Sequence, residues 1–229
     1  MRALEPQLRQ GLADLKLSLD DAQVASLLDY LDLIQKWNKV YNLTAVRETA
    51  DMLTHHLLDS LAVIAPLRLR LSDLCGGDGG AVAGAQLVAA PPVRLLDVGS
   101  GAGLPGVVVA ICCPDIMVDC VDAVAKKVAF VRQVAASLGL PNLRGLHQRV
   151  ESLTGKYDLV CSRAFASLPD FARWSETALA PEGVWMALKG KYPEQEILAL
   201  PEGIRVFHVE HLAVPGLDAQ RCIVWMRRA

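Results

Sequence analysis

The sequence of 229 residues has no apolar stretch that would cross a bilayer. Its longest clean run, Val107 to Cys113, is seven residues against the roughly 20 a membrane helix needs. Residues 1–15 alternate charged and apolar side chains, without the uninterrupted apolar core of a secretion signal. Charge of one sign is missing too. With 23 Lys+Arg against 25 Asp+Glu the formal net charge is −2, which excludes a histone-like protein held on nucleic acid by bulk charge; any such contact must come from a local patch. Disorder is excluded by 52% hydrophobic and 21% charged residues. The six cysteines (75, 112, 113, 120, 161 and 222) include no CxxC pair, and several lie in strand-like text. They read as reduced core thiols of a cytoplasmic protein, not as a disulfide or zinc framework, and no metal is expected.

At roughly 150 residues per domain, the length fits one large domain, or one with an appendage. Residues 1–68 read as helical. Val24, Leu27, Leu28, Leu31, Ile34 and Trp37 keep the three-four spacing of one buried helix face, and Asp20 with Gln23 resembles a capping pair at its start. A second pattern runs through Met52, Leu53, His56, Leu57, Ser60, Leu61 and Ile64. Residues 72–92, rich in Gly and Ala, carry too little large apolar surface to offset their ordering entropy and read as a mobile linker or surface loop. From residue 93 the text alternates: apolar runs at Arg94–Val98, Met117–Val121, Leu143–Gln148, Tyr157–Ser162 and Val184–Leu188, with helix-like patterns such as Lys126–Leu138 and Pro169–Leu179 between them. Strand–helix alternation predicts βαβ units and a parallel sheet. Arg205–Leu212 and Arg221–Met226 are too close for a helical crossover, so this last pair is expected to be antiparallel. The expected division is 1–71 helical, 72–92 linker and 93–229 α/β.

LLDVGSGAGLPG, residues 95–106, runs an apolar strand straight into glycines 99, 101 and 103 and then into a helix-like run. Glycines at such a turn let the backbone double back and let a ligand approach the main chain near free helix N–H groups. Gly101-Ala-Gly103-Leu-Pro-Gly106 matches the dinucleotide fingerprint, whereas Asp97 followed by Gly99, Gly101 and Gly103 matches the acidic-x-GxGxG turn of S-adenosylmethionine-dependent methyltransferases. A strand ending at Val98 makes Gly99 the first tight-turn residue and favours the second pattern, as does an antiparallel final strand. Asp122 ends the next strand, where a carboxylate can accept both ribose hydroxyls of an adenosine ligand. Val150 and Glu151 follow the third strand, where they would read an adenine edge or simply face solvent.

At the fourth strand end, Cys161-Ser162-Arg163-Ala164-Phe165, there is neither an NPPY-type run for exocyclic amines nor a Pro-Cys nucleophile for pyrimidine C5 chemistry. Arg163 suits a cofactor carboxylate or an RNA phosphate, both bidentate targets. Lys189-Gly190-Lys191 would serve phosphates or only solvent. His55, His56 and Asp59 share a helical region, but a structural or RNA-facing histidine fits better than zinc. In KWNKVYNLTAVR (36–47), Trp37 and Tyr41 would either stack on RNA or belong to the core.

Six stretches in order, WNKVYNLTAVR (37–47), HHLLDSLAV (55–63), LLDVGSGAGLPG (95–106), KKVAFVRQV (126–134), SRAFASL (162–168) and ALKGK (187–191), resemble the RsmG family, also called glucose-inhibited division protein B. The departure is residues 72–92, where that family has a short connection. The resemblance implies an α/β class I methyltransferase fold, a Rossmann-like and mostly parallel sheet with an antiparallel last strand, behind an N-terminal helical extension. It implies methyl transfer from S-adenosylmethionine, leaving S-adenosylhomocysteine, to N7 of one guanosine in the decoding-region loop of 16S rRNA. Carried over by motif, Gly99, Leu104, Val150, Glu151 and Arg163 would contact the cofactor; the turn itself adds Gly101 and Asp122. The RNA would meet a local patch containing His56, Arg163 and Lys189, with Lys36, Lys39, Arg47, Lys126 and Lys127 around it. The expected partner is 16S rRNA within the small ribosomal subunit or an assembly intermediate, met by a cytoplasmic monomer without membrane contact. A nicotinamide-dependent oxidoreductase, a small-molecule methyltransferase and a non-catalytic RNA-binding module are the alternatives.

Overall fold

The structure, a computed structural model, describes residues 1–74 and 91–229. The expected linker therefore lies mostly outside the described residues. Helix α1 spans Glu5–Asp14 and α2 Asp21–Tyr41. The start of α2 is a capping box: Asp20 Oδ1 accepts from Gln23 N at 2.7 Å, and Asp20 N donates back to Gln23 Oε1 at 3.1 Å. Val24, Leu27, Leu28, Leu31 and Ile34 are buried as their spacing predicts. Trp37 is half-buried, edge-on to Phe130 at 5.4 Å, so it caps the core; Tyr41, 5.1 Å from Trp37, is more exposed.

The second helical pattern is not one regular helix. α3 (Thr49–Met52) and α4 (Asp59–Leu61) flank a π-helix, Leu53–Leu58, before α5 (Ile64–Leu74). π-helical turns are rare and concentrate at functional sites.

The sheet comprises β1 (Arg94–Val98), β2 (Met117–Asp122), β3 (Leu143–His147), β4 (Tyr157–Arg163), β5 (Leu179–Lys189), β6 (Ile204–Leu212) and β7 (Arg221–Arg228). Their order is β3-β2-β1-β4-β5-β7-β6; β7 runs antiparallel to both β5 and β6, and the other pairs are parallel. Between them lie α6 (Gly106–Cys112), α7 (Ala125–Leu138), α8 (Leu168–Ser175) and α9 (Glu194–Leu198). Alternation along each strand splits the core in two. Leu95, Leu159, Met186 and Trp225 face the N-terminal helices, α6 and α7; Leu96, Val160, Trp185 and Val224 face α8. The N-terminal helices thus belong to the core on one face of the sheet.

Most strand boundaries shift by one or two residues; the larger difference lies before β5. The helix foreseen to Leu179 stops at Ser175, and β5 begins at Leu179, not Val184. Pro181 and Gly183 look like turn residues, yet Arg228 at the end of β7 donates to the carbonyls of Glu176 and Ala180 at 3.0 and 2.7 Å and holds this stretch in the sheet.

Candidate active site

The chain leaves β1 and β4, neighbours whose connections run in opposite directions, and opens a crevice at their carboxyl ends. Gly99, Gly101 and Gly103 all have left-handed φ, +64, +59 and +87°, which explains why one glycine would not have sufficed. A Cβ on Gly99 would lie 2.2 Å from Phe165 Cδ2, and one on Gly103 would lie 2.4 Å from Val107 Cγ2. A Cβ on Gly101 would enter open space, with its nearest neighbour, the Gly99 carbonyl oxygen, at 4.0 Å. Beneath the turn, buried Asp97 accepts from Gly106 N at 2.9 Å. Burial pushes its carboxyl up to about 7. Ala164, at the end of β4, is also left-handed, at φ +52°; no sequence signal marks it.

Two cavities meet at Gly99 and Ala164. The first, of about 480 Å³, includes Gly99, Gly101, Leu104, Arg163 and Lys189 together with Thr44, His56 and Asp59 from the N-terminal part. The second, of about 420 Å³, includes Gly99, Asp122, Val150, Glu151 and Phe165. Every site residue expected from the sequence therefore lines one or both. Among the surrounding basic residues, Lys127 lines the second cavity, while Lys36, Lys39, Arg47 and Lys126 are exposed and line neither.

The pairing inside is richer than expected. Asp122 accepts from Gly101 N at 3.1 Å and Val124 N at 2.8 Å, with Lys127 Nζ at 3.5 Å, so it braces the turn while keeping further lone pairs for hydroxyls. Arg163 does not stand free: it donates to Asp59 Oδ2 at 2.8 Å and to the His55 carbonyl at 3.0 Å. Arg221 takes the other Asp59 oxygen at 2.7 Å. Lys189 donates to the Ala166 carbonyl and to Glu196, at 2.9 and 2.8 Å. Partly buried cations need such partners. His56 is 5% exposed, with Nε2 2.8 Å from Thr44 Oγ1. Burial and the nearby Arg163 charge lower its pKa to about 4, so it meets a ligand as a neutral ring. Arg221 escaped sequence reasoning because nothing in its local text marks it; strand order alone brings it beside Asp59. Among the described residues no group of three or more His, Cys, Asp or Glu could hold a metal, and Cys112, Cys113, Cys120, Cys161 and Cys222 are buried free thiols.

The open space over Gly101, the backbone exposed at Gly99 and the carboxylate at the end of β2 fit an adenosyl amino acid. Comparison with known proteins agrees. A model of the rRNA small subunit methyltransferase G family matches residues 23–79 and 80–224. Ribosomal RNA small subunit methyltransferase G of Albidiferax ferrireducens is 67% identical over 229 residues, covering 100% of this chain and 99% of that one. Its counterpart in a Polaromonas species (strain JS666) is 61% identical over 227 residues, covering 99% and 95%. Among solved structures, TrmN from Thermus thermophilus superposes with a TM-score of 0.53 at 22% identity, over 73% of this chain and 49% of that one, a likeness of fold. The sheet order and its antiparallel β7 are those of class I methyltransferases. The chain belongs to the rRNA small subunit methyltransferase G family and is an S-adenosylmethionine-dependent methyltransferase.

Proposed function

We propose that this chain methylates N7 of one guanosine in the decoding-region loop of 16S rRNA, as a cytoplasmic monomer acting on the small ribosomal subunit or an assembly intermediate. The observation that carries the reading is the first cavity, which sets the glycine turn and the N-terminal π-helix around one space walled by Arg163, Lys189 and Arg221.

Gly99, Gly101, Leu104, Asp122, Val150, Glu151 and Arg163 would hold S-adenosylmethionine. When bound, it supplies a methyl group on a positively charged sulfur. The rest is placement by the protein. Guanine N7 carries an in-plane lone pair, so no side chain has to remove a proton before attack. Positive charge passes from one group to another, so no strong base is required. The arrangement suits that chemistry: Asp97, whose carboxyl titrates near neutrality, lines neither cavity, and His56 is neutral. Orientation and water exclusion are left to do the catalysis, and Leu43, Val46, Leu188 and Leu212 supply apolar walls.

The division into 1–71, 72–92 and 93–229 is part of this proposal. The helical part shares its core with the sheet, so it is expected to complete the site, not to fold alone.

The test is transfer of labelled methyl groups to ribosomal substrates, with the modified base mapped. Label is expected at one guanine N7, far faster on small subunits or a large fragment than on a short synthetic loop. Equal rates on both, or label at another atom, would refute the corresponding part.

A further inference from the structure

His56 sits in the π-helix Leu53–Leu58, buried to 5% exposure, and lines the first cavity. Thr44 Oγ1 accepts a hydrogen bond from Val46 N at 3.2 Å and lies 2.8 Å from His56 Nε2. Among the described residues the Thr44 hydroxyl has no acceptor other than Nε2, so its proton is assigned there and the ring hydrogen to Nδ1. Nδ1 has no hydrogen-bond partner among the described residues. A buried donor left unpaired is costly and uncommon, so a ligand is the natural source of its acceptor.

We propose that His56 Nδ1–H donates to O6 of the target guanine and so selects guanine against bases that carry an amino group there. This rests on the methyl-transfer reading above. The edge of guanine that carries N7 offers two acceptors, N7 and O6. N7 must stay open for attack, so O6 is the oxygen beside it that a side chain can hold. Adenine carries an amino group at that position, and two donors would then face each other. Neutrality matters as well, because the methylated base becomes a cation that an imidazolium would repel. The same logic accounts for Asp59, which takes up the Arg163 and Arg221 charges at 2.8 and 2.7 Å beside that space.

The experiment compares kcat/KM on small subunits whose 16S rRNA carries either guanosine or 2,6-diaminopurine at the mapped position. Three enzymes are used: the unaltered protein, His56→Phe, which keeps a ring but no donor, and His56→Asn, whose amide N–H₂ takes the place of Nδ1–H. His56→Ala replaces the Phe variant should the larger ring not be accommodated. The altered N1 of diaminopurine is common to all and cancels in the ratio. The preference for guanosine is expected to fall about tenfold or more in His56→Phe and to stay within about threefold in His56→Asn. Affinity for S-adenosylhomocysteine, by calorimetry, is expected to hold within about twofold, as for a residue that touches only the base. A preference unchanged in His56→Phe, or lost equally in both variants, would overturn the proposal. So would a loss of S-adenosylhomocysteine affinity matching the loss of guanosine transfer, which would make His56 a cofactor contact. Failure of the methyl-transfer reading itself looks different: the unaltered enzyme would not label guanine N7.

Discussion

The hydroxyl of Tyr30, fully buried on α2, donates to the carbonyl of Ala102, 2.7 Å away in the middle of the glycine turn. A second tie, from Gln23 Nε2 to the Ile111 carbonyl at 2.9 Å, fastens the same helix to α6. The N-terminal helices therefore set the shape of the turn that faces the cofactor, and the extension and the site form one mechanical unit.

Tyr30→Phe keeps the ring and removes only that donor. The expected cost is about 1–2 kcal/mol of stability, the penalty for a buried carbonyl left without its partner. Because the carbonyl belongs to the turn, affinity for S-adenosylhomocysteine should fall severalfold as well. Denaturant unfolding and calorimetry on the same variant check both; lost stability with undiminished affinity would show that the turn does not depend on α2.

Asp59 holds two guanidinium groups, Arg163 and Arg221, from strands far apart in sequence. Replacing it with Asn leaves both cations underpaired in a partly buried place, and the expected loss is about 3 kcal/mol. The coupling is testable: Arg221→Ala should cost less in the Asp59→Asn background than in the original chain, as thermal melts of the four proteins would show. Arg163→Ala is expected to lower cofactor affinity or transfer rate; if both survive, Arg163 orients neither cofactor nor RNA.

These pairings also show what the text of the chain conveys. Arg94–Val98 is bounded by Pro92 and Gly99, and the strand appears between the same two residues. The glycine turn, Asp122, Val150 and Glu151 were legible for the same reason, since each stands at the end of a local apolar run. The bond from Arg221 to Asp59 crosses 162 residues, so only strand order reveals it. The helix-like pattern to Leu179 and the apolar run from Val184 hid the early start of β5, whose first residues are tied to Arg228 from the far end of the chain. For His56 the residue type was visible, but its lack of charge comes from burial and its ring tautomer from Thr44, neither of which is written in the local sequence.

Asp97 gives a pH dependence with a definite sign. Burial raises its carboxyl from 3.8 in a model peptide to about 7 in the folded protein. Between those values the folded chain holds a proton that the unfolded chain has lost, so stability falls as pH rises through that window and stays reduced above it. Asp97→Asn removes the titration and can still accept from Gly106 N. Relative to the original protein, the variant should therefore gain melting temperature on going from about pH 5 to about pH 8.5. A difference that stays constant across that range would mean the carboxyl titrates at its ordinary value.

Gly99 and Gly101 separate strain from obstruction. Both have left-handed φ, which costs an alanine roughly 1–2 kcal/mol. At Gly99 the added methyl would also lie 2.2 Å from the Phe165 ring, which packs against Phe171 and Trp174 and has little room to retreat. Gly99→Ala is therefore expected to be markedly destabilised and to lose cofactor binding as a consequence. At Gly101 the methyl meets no protein atom closer than 4.0 Å and enters the first cavity instead. Gly101→Ala should fold with only the backbone penalty, yet bind S-adenosylhomocysteine at least tenfold more weakly, because the methyl takes space meant for the ligand. Melting curves and calorimetry on the two variants distinguish the cases. If Gly101→Ala bound the cofactor normally, the open space over that residue would not be where the ligand lies.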